Sequence, residues 1–149
     1  MVKDLDPHGA RVTSATVVAY AGSPGSIASA RGQAVAFLDE LGARRGLPLG
    51  PQAFVDVQLI VSELVTNAVK FAPGFCTVSL RLVGRHLEIT VADSAPEPPV
   101  PLPPEPGRVG RHGLEIVLAL SRSFEFHREG GGKRVTVSVD LDAAEGAAG

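Results

Sequence analysis

A chain of 149 residues is the size of one domain with a full hydrophobic core and is short for two. With 44% hydrophobic and 20% charged residues it has the composition of a globular protein, which excludes wholesale disorder and fibrous repeats. A formal charge of −2 lacks the electrostatic footprint of a general nucleic-acid or anionic-membrane binder, and the single cysteine, Cys76, excludes a disulfide framework or a multi-cysteine zinc site.

Residues 1–12 are polar and punctuated by Pro and Gly, so a flexible segment is expected there, and the Ala/Gly-rich stretch 142–149 reads as a disordered tail. The start, Met1-Val2-Lys3-Asp4-Leu5-Asp6-Pro7, shows no basic segment leading into an apolar one. No apolar run approaches the ~20 residues that span a bilayer, so the expectation is a cytoplasmic protein, neither secreted nor membrane-spanning. Thr13 to Tyr20 is rich in Val and Thr and predicts a strand that Gly22-Ser23-Pro24-Gly25 breaks. Ser26 is the expected N-cap of a first helix running from Ile27 to about Arg44, with Ala30, Ala34, Phe37, Leu38 and Leu41 at helical spacing and Gly42 or Gly46 as its stop. Gly50-Pro51 opens a second helix over 52–72, buried through Val57, Val61, Leu64, Ala68 and Ala72 and stopped by Pro73-Gly74.

The period then switches from 3.6 to two. Cys76, Val78, Leu80 and Leu82 alternate with polar residues, Gly84-Arg85 turns, and Leu87, Ile89 and Val91 alternate again, which predicts a hairpin with one buried face. Seven of the twelve prolines fall between Pro96 and Pro106, which predicts a long, stiffened loop over 94–108. A short helix from Gly113 to about Ser121 follows. A second hairpin comes last, with Phe124 and Phe126 before the glycines at 130–132 and Val135, Val137, Val139 and Leu141 after them. This order predicts an α+β two-layer sandwich over 13–141: a mixed, mostly antiparallel sheet covered on one face by three helices.

Three places carry candidate chemistry. Asp56, Glu63, Asn67 and Lys70 lie at offsets of 7, 4 and 3, which puts them in one polar stripe of the second helix. A solvated helix side with i,i+4 pairs would look the same. Asn67, however, is the only asparagine in the chain and sits mid-helix, where Asn is a poor helix former; its amide oxygen suits Mg²⁺ held through a substrate phosphate. Asp93 ends a strand, as an acceptor for a base amine or simply as a turn residue. Gly110-Arg111-His112-Gly113-Leu114 opens a helix, where exposed backbone N–H groups suit phosphate. His8, His86, His112 and His127 are scattered and read by themselves as ordinary histidines.

Taken in order, the run from Ser62 to Phe71 (Ser-Glu-Leu-Val-Thr-Asn-Ala-Val-Lys-Phe), then Val91-Ala92-Asp93, then Gly110 to Val117, resembles the N box and the first and second glycine boxes of the GHKL (Bergerat-fold) ATPases. The resemblance covers roughly residues 13–141 and is nearest in look to bacterial anti-sigma factor serine kinases and small histidine-kinase-like ATP-binding regulators. It implies ATP and Mg²⁺ as cofactors, with Asn67 the metal ligand, Glu63 the catalytic group that activates an attacking hydroxyl, and Asp93 the acceptor for the adenine amine. By the same resemblance Lys70 and Phe71 match a Lys-Phe pair that follows the N-box Asn. Gly110, Arg111, His112, Gly113 and Leu114 would wrap the phosphates, and residues 94–109 would be the lid.

The implied function is Mg-ATP-dependent phosphorylation of a Ser or Thr on a small antagonist protein; the alternative is a non-catalytic binding regulator on the same fold. The implied partners are that antagonist and a sigma factor, with homodimerisation left open and with neither nucleic acid nor membrane. The pattern departs at three points. Asp93-Ser94-Ala95 stands where Asp-x-Gly is usual, the lid is proline-rich, and Gly132-Lys133 stands where Gly-Thr is common before the last strand, which weakens the expected grip on adenine.

Overall fold

The computed structural model describes residues 12–71, 74–93, 113–129 and 131–141. Each change of hydrophobic period becomes a change of element: β1 (Val12–Tyr20), α1 (Gly25–Arg45), α2 (Pro51–Phe71), β2 (Cys76–Val83), β3 (His86–Asp93), α3 (Gly113–Leu120), β4 (Ser123–Glu129) and β5 (Gly132–Asp140). The five strands form one sheet in the order β1-β2-β3-β5-β4, and every neighbouring pair is antiparallel. The expected α+β two-layer arrangement is present, and the sheet is antiparallel throughout its described strands rather than mixed.

One sheet face carries the core. Val78, Leu80, Leu87, Ile89, Val91, Val135 and Val137 are buried from the strands, and Val57, Ile60, Val61, Leu64, Val65 and Ala68 meet them from α2. Each such side chain contributes about 1.5–3 kcal/mol when fully withdrawn from water, so this interface dominates the stability. The opposite sheet face is polar and bonded across strands: Thr90 and Thr136 are register partners whose hydroxyls lie 3.0 Å apart, and Arg81 pairs with Glu88. Its concavity encloses about 740 Å³ and includes none of the candidate site residues.

The start of α1 differs from expectation. Pro24 occupies the N-cap position without a side-chain cap, and Ser26 lies inside the helix, buried, its N–H donating to the Ser23 carbonyl at 2.9 Å. The Ser23-Pro24 turn thus supplies a backbone acceptor where a capping side chain was expected. At the other end Gly46 takes the left-handed conformation (φ 64°) and donates to the Gly42 carbonyl at 3.2 Å, so Gly46 is the stop. Tyr20 Oη donates to Gln33 Oε1 at 2.7 Å and Gln33 Nε2 to the Val78 carbonyl at 3.1 Å, which ties α1 to β1 and β2. Gly22, at φ 81°, passes so close to the Gly74 carbonyl oxygen that a Cβ would sit 2.0 Å from it. That contact fixes the β1–α1 loop against the chain leaving α2. No helix among the described residues is long and apolar enough to cross a membrane.

Candidate functional site

Strand register gathers one end of the sheet. Tyr20, which ends β1, pairs with Cys76, which begins β2; Thr77 pairs with Ala92; and Asp93, which ends β3, pairs with Lys133 near the start of β5. Cys76 follows α2 by only a few residues, so the C-terminal half of α2, with Glu63, Asn67 and Lys70, ends at this same edge. Helix α3 packs on α2. Its last residue, Leu120, lines a depression with Asp56 of the first turns of α2. Leu114 is buried in the core.

The polar stripe of α2 divides in two. Asp56 accepts from Gln52 Nε2 at 2.7 Å and lies eleven residues, roughly 16 Å, along the helix from Asn67. Glu63 is half-buried and Lys70 is exposed. Asn67 is not on a solvated side: it is 3% exposed. Its Nδ2 donates to the Glu63 carbonyl at 3.2 Å, and its Oδ1 is buried with no hydrogen-bond partner among the described residues. An unpartnered buried amide oxygen costs about 1–3 kcal/mol, so it calls for a ligand or another compensating contact. As a neutral, hard oxygen donor it fits a divalent cation of the Mg²⁺ kind. No group of three or more His, Cys, Asp or Glu among the described residues is arranged to hold a metal, so such a cation would draw further oxygens from phosphate or water.

Asp93 is also deeply placed, its side chain 2% exposed, and it is held by a partner that sequence reasoning did not assign to it. Lys133 Nζ lies 2.9 Å from Oδ2 and 3.2 Å from Oδ1, and the lysine side chain is itself only 4% exposed. Beside this pair, burial first and then the Asp93 charge push the Cys76 thiol above its ordinary range. Burial, then Cys76, does the same to the Tyr20 phenol. Both groups therefore stay protonated at neutral pH.

The structure thus brings Glu63, Asn67, Lys70 and Asp93 toward the end of the sheet where β2 begins and β3 ends. Phe71 is the last residue of α2 and Gly113 the first of α3. Gly110, Arg111, His112 and the expected lid lie outside the described residues. The signal that Lys133 belongs here was its place as a lone lysine beside glycines at a strand start; the pairing itself depends on the β3–β5 register, which local sequence does not encode.

A family model for the histidine kinase-like ATPase domain matches residues 24–139. Among solved structures, the RsbU and RsbW domains of Rv1364c from Mycobacterium tuberculosis share the fold with a TM-score of 0.65 at 19% identity, over 87% of this chain and 32% of that one. This chain therefore spans about a third of that protein's solved length. The histidine kinase domain of the Erythrobacter litoralis EL346 blue-light activated histidine kinase matches at 24% identity and a TM-score of 0.44, over 62% of this chain and 46% of that one. The Acinetobacter baumannii histidine kinase AdeS matches at 13% identity and a TM-score of 0.46, over 87% and 70%. No curated protein matches by sequence. The family match runs from the turn before α1 to the penultimate residue of β5, and on that extent the chain belongs to the histidine kinase-like ATPase domain family, whose domains bind ATP.

Proposed function

We propose that this chain is a cytoplasmic ATP-binding regulator of the anti-sigma serine kinase kind, which transfers the γ-phosphoryl group of ATP to a Ser or Thr hydroxyl on a small antagonist protein. The observation that carries the reading is the buried Oδ1 of Asn67, without a hydrogen-bond partner among the described residues, in a chain of an ATP-binding family. Asn67 would hold Mg²⁺, which supplies neutralisation of phosphate charge when bound. The backbone N–H groups at the start of α3, with Gly110, Arg111, His112, Gly113 and Leu114, would receive the phosphates, assisted by Lys70, and Phe71 would flank them. Asp93 would face the base.

Glu63 stands one helical turn before Asn67 and on the same side of α2. In this reading its carboxylate orients the attacking hydroxyl and takes its proton as the oxygen–phosphorus bond forms and ADP leaves, so the remaining work is positioning and charge neutralisation. Glu63→Gln keeps shape and hydrogen bonding and removes the base. Radiolabelled ATP with a candidate antagonist domain should show label transfer by the wild type and roughly 10²–10⁴-fold less by Glu63→Gln, with ATP binding retained. Equal transfer by both proteins would rule out Glu63 as the base.

A second reading is a regulator that works by association alone, with nucleotide as a conformational ligand or unused. The Asp93–Lys133 pair favours it, because a carboxylate meant for a base amine already has a cation on it. Partner binding without label transfer, in wild type and variant alike, would establish this second reading in place of the first.

A further inference from the structure

Asp93 and Lys133 face each other across β3 and β5 as register partners, and the ammonium engages both carboxylate oxygens, at 2.9 and 3.2 Å. With side chains 2% and 4% exposed, neither charge has water to fall back on. A buried ion pair of this kind resists the removal of either member, because the group left behind keeps its charge without its counter-ion. A neutral exocyclic amine is a weaker donor to a carboxylate than an ammonium is. A 6-amino purine brought to Asp93, as the proposed function has it, would therefore meet the pair rather than displace Lys133.

The pair and the lone carboxylate read a base differently. An ionised carboxylate only accepts hydrogen bonds, so by itself it favours the 6-amino group of adenine and repels the 6-oxo group of guanine or hypoxanthine. A carboxylate joined to an ammonium offers an acceptor and a donor side by side. The 6-amino purine edge, with its N6–H donor and N1 acceptor, matches that set. So does the 6-oxo edge, with its O6 acceptor and N1–H donor.

We infer that Lys133 is a specificity-determining residue of the nucleotide site, and that its pairing with Asp93 removes the preference for 6-amino over 6-oxo purine nucleotides that Asp93 alone would impose. The inference rests on the proposed function, in which Asp93 faces the base. The chemical class of ligand is accordingly a purine nucleoside triphosphate of either kind.

Calorimetric titration of the full chain with Mg-ATP and Mg-ITP, which differ only at the 6-position and the N1 proton, tests it. The wild type should bind the two within about threefold of each other. Lys133→Thr, which removes the ammonium from the Asp93 carboxylate, should prefer ATP by roughly tenfold or more. Because Lys133→Thr strands a buried charge, a second variant, Lys133→Met with Asp93→Asn, removes both charges together. Its ATP-to-ITP ratio should stay within about threefold of the wild-type ratio. A wild type that already prefers ATP by tenfold, with the preference lost in the double variant, would overturn the inference while leaving the nucleotide reading intact. Binding of neither nucleotide by any of the three folded proteins would overturn both. Binding of ATP by Lys133→Thr alone would also overturn the inference, because the wild-type pair would then exclude both purines instead of accepting both.

Discussion

Asn67→Leu is expected to make the protein more stable and less able to use a metal. Leucine keeps the branched arrangement of three side-chain heavy atoms beyond Cβ and removes the one buried acceptor without a partner among the described residues. Relief of that acceptor returns about 1–3 kcal/mol, and loss of the Nδ2 bond to the Glu63 carbonyl takes back about 0.5–1, since that carbonyl is also in reach of the helix's own N–H ladder. Replacing a poor mid-helix former by a good one adds roughly half a kcal/mol. The net is a stabilisation of about 0.5–3 kcal/mol, and a value near the middle of that range raises Tm by roughly 3–6 °C for a domain of this size. Urea unfolding with an unchanged m-value reads the first half. Calorimetry with ATP, in Mg²⁺ and in EDTA, reads the second: affinity should fall far more in Mg²⁺ than in EDTA. A loss of more than about 1 kcal/mol at constant m would mean that Oδ1 has a stabilising partner in the free protein, and equal loss of affinity in both buffers would end its role as a metal ligand.

Gly22→Ala places a Cβ 2.0 Å from the Gly74 carbonyl oxygen at a positive φ, so a destabilisation of roughly 2 kcal/mol or more is expected in urea, and a smaller effect would show that the two loops separate easily. Lys133→Met should cost about 3–5 kcal/mol by stranding the Asp93 carboxylate, whereas Lys133→Met with Asp93→Leu should lie within about 1–2 kcal/mol of wild type; a mild single variant would mean the pair is solvated. The raised Cys76 thiol favours the protonated form in the folded state, so its contribution is full below the ordinary value of 9.0 and is lost as pH rises through the folded value. Urea midpoints taken from pH 7 to the alkaline limit should fall less steeply for Cys76→Val than for wild type, and parallel curves would refute the assignment. Tyr20, raised from 10.0, adds to the fall only at higher pH.

The fold was legible because nearly every element declares itself by period. The alternation from Cys76 to Val91 needs one face buried, and the burial along β2 and β3 alternates accordingly. The helical run from Val57 to Ala68 likewise places its apolar side on the sheet. Misreading came where a local rule had a competitor. Ser26 fits the N-cap preference, but the Ser23-Pro24 turn satisfies the helix start first and leaves Ser26 inside and buried. The completeness of the antiparallel pattern was not legible either, since it depends on β5 entering between β3 and β4, and strand order is a tertiary choice that no single strand encodes.

The site divides along the same line. Glu63, Asn67 and Lys70 share one helix, so their grouping follows from helical geometry alone. What the spacing could not give is the burial of Asn67, because the polar stripe would read the same on a solvated surface; burial depends on the tertiary packing of the other helices and the sheet around α2. Asp93 and Lys133 are forty residues apart, and their contact is fixed only when β5 settles against β3 in its observed register. A shift of that register by one residue would turn Lys133 to the opposite sheet face and bring Arg134 to the side of Asp93. The lysine's position is thus specified by the valines that follow it: Val135, Val137 and Val139 bury on the helix-covered face, and the same alternation carries Lys133 to the Asp93 side. The hydrophobic pattern that builds the core therefore also sets the face that Lys133 takes, and the β3–β5 register then sets it opposite Asp93.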